Sequence, residues 1–317
     1  MLIMPTAQEP PPADPATYEQ GLLLVRRGEL DKAEALWRTA AEAGNTDAAT
    51  GLGRLLVQRG ELAEAETWWR TAAKTGHTDA ANYLALLLVQ RGELDEAEIW
   101  WRITAEAGNI AAATMLGVLL MQRGELDEAE TWWRSAAQAG NITAAFNLGV
   151  LLKRRGDLDG AARWSRAAAE AGNTDAANNL GLLLEGRGEL DEAVAWYRTA
   201  ADAGHATAAY NLGLLLKQRG EHDAAATWYR TSAEAGNASA ANNLAVLVEQ
   251  RGELDEAVAW YRTAADAGNS NAAYNLGVLL ERRGELDEAV AWYRTAADAG
   301  HATAAYNLRI LLGQQQS

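Results

Sequence analysis

Histidine, paired acids and glycine-rich loops are the residues through which this chain could do chemistry, and each can be weighed by its spacing. The chain carries 4 histidines and no cysteine, so thiolate catalysis, thiolate metal sites and disulfides are absent. His77, His205 and His301 recur whole multiples of 32 residues apart, in a slot held elsewhere by Asn45, Asn109 or Asn173. His222 stands where other copies of the same segment have leucine, and reads as a core-side replacement. A metal site needs several ligands converging on one point, and single residues in a repeated slot do not supply them. Acid pairs such as Asp191 and Glu192 open helical segments and lack the loop spacing of a calcium site. The phosphate-loop, HExxH and GxSxG patterns are all missing. The sequence therefore predicts no enzyme, no cofactor and no metal.

What positions these residues is a repeat. One glycine column runs from Gly28 through Gly60 and Gly92 to Gly284, a second from Gly44 through Gly76 to Gly300, and a leucine column from Leu52 to Leu308, all with a period of 32. Of the 29 glycines, 25 fall in these two glycine columns and a third that contains Gly213 and Gly277, which makes them structural punctuation instead of phosphate cradles. The period holds nine full units and one extra half, and no composition break marks a second domain.

Each unit contains two helical patterns. In ATAAYNLGLLLKQRG, Ala208, Leu212 and Leu215, with Ala209 and Leu216 beside them, fall on one face of a first helix that ends at Gly220. In ELDEAVAWYRTAADAG, a second helix places Leu190, Ala193, Tyr197 and Ala200 on a stripe that Trp196 widens, and Gly204 closes it. Acids in its first turn suit the positive helix end, and the Asn or His after each second glycine suits the N-cap of the next first helix. Trp196 and Tyr197 project about 100° apart, so one fills the hairpin core and the other meets the next unit. Trp132 is read as filling such an inter-unit core. Units of this size must stack to bury their aromatics.

The ends and the charge bound the setting. Residues 1–13 hold most of the 5 prolines and read as a disordered leader without the basic region of a secretory signal. Asp14 before Pro15 reads as an N-cap that starts the first unit, so nine repeats occupy 14–301 and a capping helix with a tail occupies 302–317. In the last half-unit Arg309 replaces the small residue of Gly213, Ala245 and Gly277, as a solvated end requires. No apolar run approaches the ~18 residues of a membrane span, which points to a soluble, cytoplasmic chain. A net charge of -15 repels nucleic acid and anionic lipid alike. The arginine columns Arg27 to Arg283 and Arg38 to Arg294 hold 18 of the 28 bases and read as caps and as i,i+4 partners of Glu34, Glu66, Glu98 and Glu130.

Through NLG, RGELDEA and WYRTAA the chain resembles the tetratricopeptide superfamily over about residues 14 to 315. The joint WYRTAADAGHATAAYNLG, with its tryptophan-tyrosine pair and AA-x-x-G ending, is closer to the SEL-one-like branch. The period of 32 is shorter than the roughly 34 of tetratricopeptide units, and the proline between units is missing. The resemblance implies an all-α fold, an α-solenoid forming a right-handed superhelix, whose first helices line a concave surface that binds peptides or protein segments.

Three columns on the first helices lie where such a groove would be. One contains Phe146, Asn178, Tyr210, Asn242, Tyr274 and Tyr306. Four residues on, Leu86, Val118, Leu182, Leu214, Val246 and Ile310 form an aliphatic column that would either pack between neighbouring first helices or line the groove. A third changes from Val89 and Met121 to Lys153, Glu185, Lys217 and Glu249. The lysine and arginine set by which some members of the family grip a terminal carboxylate is absent, although Asn179, Asn211, Asn243 and Asn275 keep its asparagine. The expected function is a non-catalytic scaffold holding a protein segment or peptide in this groove, chiefly through Phe146, the tyrosines and the asparagines, with Val89 and Met121 taking its apolar part. The alternatives are a structural or self-associating array, or the sensor arm of a larger protein. Consensus engineering and natural duplication both account for the near-identity of residues 189–216 and 285–312.

Overall fold

A computed structural model describes residues 15–315, so the leader and the Asp14 cap lie outside the described residues. The chain divides into two compact units, the first ending at Leu151 and the second beginning at Leu152. In the first, α1 (Pro15–Arg26), α2 (Leu30–Glu42), α3 (Thr46–Arg59), α4 (Leu62–Lys74), α5 (Thr78–Gln90), α6 (Leu94–Glu106), α7 (Ile110–Arg123) and α8 (Leu126–Gln138) pack each against the next. Helix α9 (Ile142–Arg155) spans the division. The second unit continues the series with α10 (Leu158–Glu170), α11 (Thr174–Gly186), α12 (Leu190–Asp202), α13 (Ala206–Gln218), α14 (His222–Glu234), α15 (Ala238–Gln250), α16 (Leu254–Asp266), α17 (Ser270–Arg282), α18 (Leu286–Asp298) and α19 (Ala302–Gln315). Odd-numbered helices are the first helices of the hairpins and even-numbered ones the second. The fold is an all-α solenoid of two-helix repeats.

Local chemistry explains why the helices start and stop where they do. Asn45 Oδ1 accepts the Ala48 N–H at 2.9 Å and His205 Nδ1 accepts the Ala208 N–H at 3.0 Å, so asparagine and histidine are interchangeable as caps of first helices. The first helix α3 ends at Gly60, whose φ of 81° is left-handed, and Glu61 N–H returns to Leu56 C=O at 2.9 Å. Second helices begin at glutamates such as Glu61 and Glu125 that make no side-chain cap bond. Asp157 does cap, accepting the Gly160 N–H at 2.9 Å.

The core of most hairpins is small residues around one aromatic, whose slot in α10 is taken by the buried Ser165. Ala208, Ala209, Leu212, Leu215 and Leu216 are all buried, as their spacing predicts, and so are Ala193, Tyr197 and Ala200. Leu190 is not: it is 37% exposed, and His222 in the same helix-opening slot is exposed too, whereas Leu62, Leu126 and Leu254 in that slot are half-buried. The aromatic pair divides its labour differently from the reading of Trp132 as a core residue. Its neighbour Trp133 is buried, while Trp132 is half-buried with its indole N–H 3.4 Å from Glu128 Oε1. Trp133 lies flat on Gly117, where an added Cβ would meet its ring at 2.5 Å, and Tyr229 lies likewise on Gly213 at 2.6 Å. The small column is thus a seat for the second aromatic of each pair. At Arg309 the seat is lost, and that side chain is exposed.

Candidate protein-binding surfaces

The groove columns are positioned by first helices that sit side by side. In the second unit Asn211 donates from Nδ2 to Asn178 Oδ1 at 3.0 Å, and Asn275 donates to Asn242 Oδ1 at 3.1 Å. An amide pair therefore joins α11 to α13 and another joins α15 to α17, and Asn178 is buried beneath the first. Asn242 also donates to Asn243 Oδ1 at 3.4 Å. Asn179 is half-buried. Tyr210 packs on Tyr229 with ring centroids 6.1 Å apart, and Tyr274 on Tyr293 at 6.0 Å and on the His301 ring at 4.5 Å. Tyr306 differs from both: it is 55% exposed, with the Arg309 guanidinium 5.7 Å from its ring centre. In the first unit Phe146, Val89 and Met121 are half-buried. There Thr50 and Thr114 turn their hydroxyls onto the carbonyls of Thr46 and Ile110, which lets both be buried.

The aliphatic column is the apolar part of this surface that stays in contact with water. In the first unit Leu86 and Val118 are half-buried and Arg54 is exposed; in the second, Leu214, Val246 and Val278 are half-buried, and Leu182 and Ile310 are 38% and 41% exposed. None of these side chains is fully buried. A small apolar cleft of about 50 Å³ opens beside Arg54, lined by Leu22, Val25, Trp37 and Leu55.

The third column of the first helices meets the buried tyrosines. Tyr197, Tyr261 and Tyr293 donate their hydroxyls to Glu185, Glu249 and Glu281 at 2.7, 2.8 and 2.6 Å. Burial first, and then these carboxylates, push the three phenols well above the usual tyrosine range. In the fourth case the glutamate is replaced by Lys217. Tyr229 is fully buried, and its hydroxyl has no hydrogen bond; Asn243 stands near it without completing one. Burial pushes this phenol up to about 12.

The arginine columns do more than cap and pair within a helix. Arg38, Arg70 and Arg102 each bridge a glutamate one turn earlier, at 2.7 Å, to Glu64, Glu96 or Glu128 on the next second helix. In the second unit Arg230 reaches Glu256 at 2.7 Å in the same manner. The arginine's hydrogen bond holds Glu96 and Glu128 below the ordinary carboxylate range, against the opposing effect of burial. The same glutamates accept the indole N–H of Trp100 and Trp132, so these two tryptophans belong to an inter-repeat network. Arginines beside the glycines also reach back to the preceding second helix, as in Arg219 to Asp191 at 2.9 Å and Arg283 to Asp255 at 2.8 Å. The signal that could have revealed this network is the co-occurrence of two columns 26 positions apart. Where the glutamate column has Gly160, the buried Trp164 indole N–H has no hydrogen bond.

His77 Nδ1 accepts the Ala80 N–H while Nε2 lies 3.0 Å from Asp47 Oδ1; His205 repeats this with Asp175. These histidines are caps with an acidic neighbour. Among the described residues no group of three His, Asp or Glu side chains is placed to hold a metal ion, and no helix is long and apolar enough to cross a membrane.

The sequence pattern of the tetratricopeptide repeat matches residues 18–77, 146–204, 178–240, 232–272 and 268–304, and a second pattern of the same description matches 75–102 and 110–135. Among solved structures, the chain is similar to c5321, a protective antigen of uropathogenic Escherichia coli strains with an SLR fold. The identity is 29% and the TM-score 0.75, over 95% of this chain and 72% of that one. A Sel1 repeat protein from Oxalobacter formigenes has the same fold, with 23% identity and a TM-score of 0.67 over 98% of each chain. A search of curated proteins gives no match.

Proposed function

The chain belongs to the tetratricopeptide-repeat family, in its Sel1-like branch, and we propose that it is a non-catalytic scaffold that holds a segment of another protein along the first helices of its second unit. This fold is typical of protein-interaction scaffolds. The observation that carries the proposal is the aliphatic column. Leu182, Leu214, Val246, Val278 and Ile310 recur once per repeat, and none is buried. Apolar side chains left partly in contact with water at a fixed spacing would gain further by being covered.

Around that stripe stand the polar groups an extended segment needs. Tyr210, Tyr274 and Tyr306 offer flat rings, and Asn179 and Asn243 offer amides, a mixture that binds with little loss of side-chain entropy. Asn178, Asn211, Asn242 and Asn275 act one step back, fixing the spacing of the helices through their mutual bonds. Phe146, Val89 and Met121 extend the same kind of lining in the first unit. Carboxylates at Glu185, Glu249 and Glu281 favour a basic or neutral ligand.

The test uses a substitution that the column already contains. Arg54 occupies it naturally, so Leu214→Arg with Val246→Arg should fold with unchanged helicity. Retention of bound protein from extracts of the source organism should be lost in that variant. Equal recovery of the same bound proteins by variant and wild type would contradict the proposal.

A further inference from the structure

One first-helix position of the second unit is paired, repeat after repeat, with a buried tyrosine of the following second helix, and in one repeat its charge is reversed. Glu185, Glu249 and Glu281 accept the hydroxyls of Tyr197, Tyr261 and Tyr293 at 2.7, 2.8 and 2.6 Å. Lys217 stands at the same sequence separation from Tyr229. An ammonium only donates, so it cannot accept the phenol's proton. The Tyr229 hydroxyl is accordingly buried with no hydrogen bond. The nearby Asn243 does not supply one: its Oδ1 accepts Asn242 at 3.4 Å instead. Lys217, half-buried, forms no ion pair or hydrogen bond with any described residue.

The two unmet groups have complementary needs. The phenol lacks an acceptor, the ammonium lacks an anion, and a single carboxylate answers both. The last hairpin shows that such a carboxylate can sit in contact with water, since Glu281 is exposed and still accepts Tyr293 at 2.6 Å. Lys217 follows Leu214 by three residues, one turn along the same face of α13, so a segment lying on the aliphatic column passes the lysine. We infer that Lys217 and Tyr229 form a two-point carboxylate site, filled by an aspartate or glutamate side chain of the bound segment, with the ammonium pairing one oxygen and the phenol donating to the other. The inference rests on the first-helix reading proposed above and adds one acidic residue, opposite α13, to a ligand otherwise basic or neutral. It differs from the lysine-and-arginine grip on a terminal carboxylate, whose cations are absent.

The probe is a library of short amidated peptides with Leu, Lys, Gln or Glu at each position, and a second library left as free acids. Both are panned at about 150 mM salt, where long-range charge effects are screened, on wild type and on Lys217→Glu. That variant installs the residue of the neighbouring repeats and is checked by circular dichroism. Amidated peptides kept by wild type should carry a glutamate at one fixed place, and those kept by Lys217→Glu should carry glutamine or lysine there. A wild-type peptide remade with glutamine for that glutamate should bind at least about tenfold more weakly. Tyr229→Phe keeps the ring and should lose most of this preference. Full preference in Tyr229→Phe, or the same peptides on wild type and Lys217→Glu, overturns the inference and leaves the first-helix reading in place. Selection by wild type from the free-acid library alone makes the ligand a chain end and overturns it as well. No peptide kept by either protein overturns both readings.

Discussion

Two tyrosines in one column separate the value of a hydrogen bond from the value of a ring. Tyr261 and Tyr229 are both buried on the same side of a hairpin, but only Tyr261 has a carboxylate acceptor, in Glu249. Tyr261→Phe should therefore cost about 0.5–1.5 kcal/mol. Tyr229→Phe removes a hydroxyl that is buried without a bond, and should be neutral or stabilising by denaturant titration. If both variants lose stability equally, the hydroxyl of Tyr229 has a partner after all. The same group gives a pH prediction. A phenol raised to about 12 when folded contributes stability that is whole below the unfolded tyrosine value of about 10. That stability is lost as pH rises through the folded value. Tyr229→Phe should flatten the fall in stability between about pH 10 and 12, and an unchanged slope would show that Tyr229 titrates alike in both states.

At the scale of the helix, the second aromatic of each pair carries the hairpin. Trp133→Ala should cost about 3–5 kcal/mol, because the ring is buried on Gly117 and leaves a cavity. Trp132→Ala, half-buried and tied to Glu128, should cost less, roughly 1–2 kcal/mol. Hydrogen exchange should show α7 and α8 opening most in the first variant. The opposite ranking would put the wrong aromatic in the core. Sequence spacing could not decide this point, because adjacent residues at 100° are both compatible with a wide apolar face. It did reveal the glycine turns, the Asn and His caps and the Ala/Leu stripe, since those depend only on neighbours within one helix. Leu190 and His222 lie outside the core for a related reason: a helix-opening residue shares the period of the core stripe but sits at its edge, where it is half-buried at Leu62 and exposed at Leu190. The pairing of Arg102 with Glu128 was hidden because the partner lies on another helix, and the tyrosines of the groove column were not seen to stack on Tyr229 and Tyr293.

Within each unit, the contacts among the described helices run chiefly from one helix to the next, with a few between α1 and α3 and between α3 and α5. Stability is then a sum of hairpins and their interfaces. Removal of residues 206–237, one whole repeat of the second unit, should leave a soluble protein with the same helicity per residue and somewhat lower stability. Loss of the helical signal would mean that distant repeats depend on one another. The proposed role is that of a scaffold that presents a surface to another protein. The central claim concerns which surface does so. A photo-crosslinking residue placed at Leu214 or Val246 tests it most directly when compared with one at Ala195 or Ala259, on the solvent side of α12 and α16. Covalent adducts with another protein should form from the first-helix positions and not from the second-helix ones. Adducts from Ala195 and Ala259 alone would put the partner on the other side of the second unit and contradict the account.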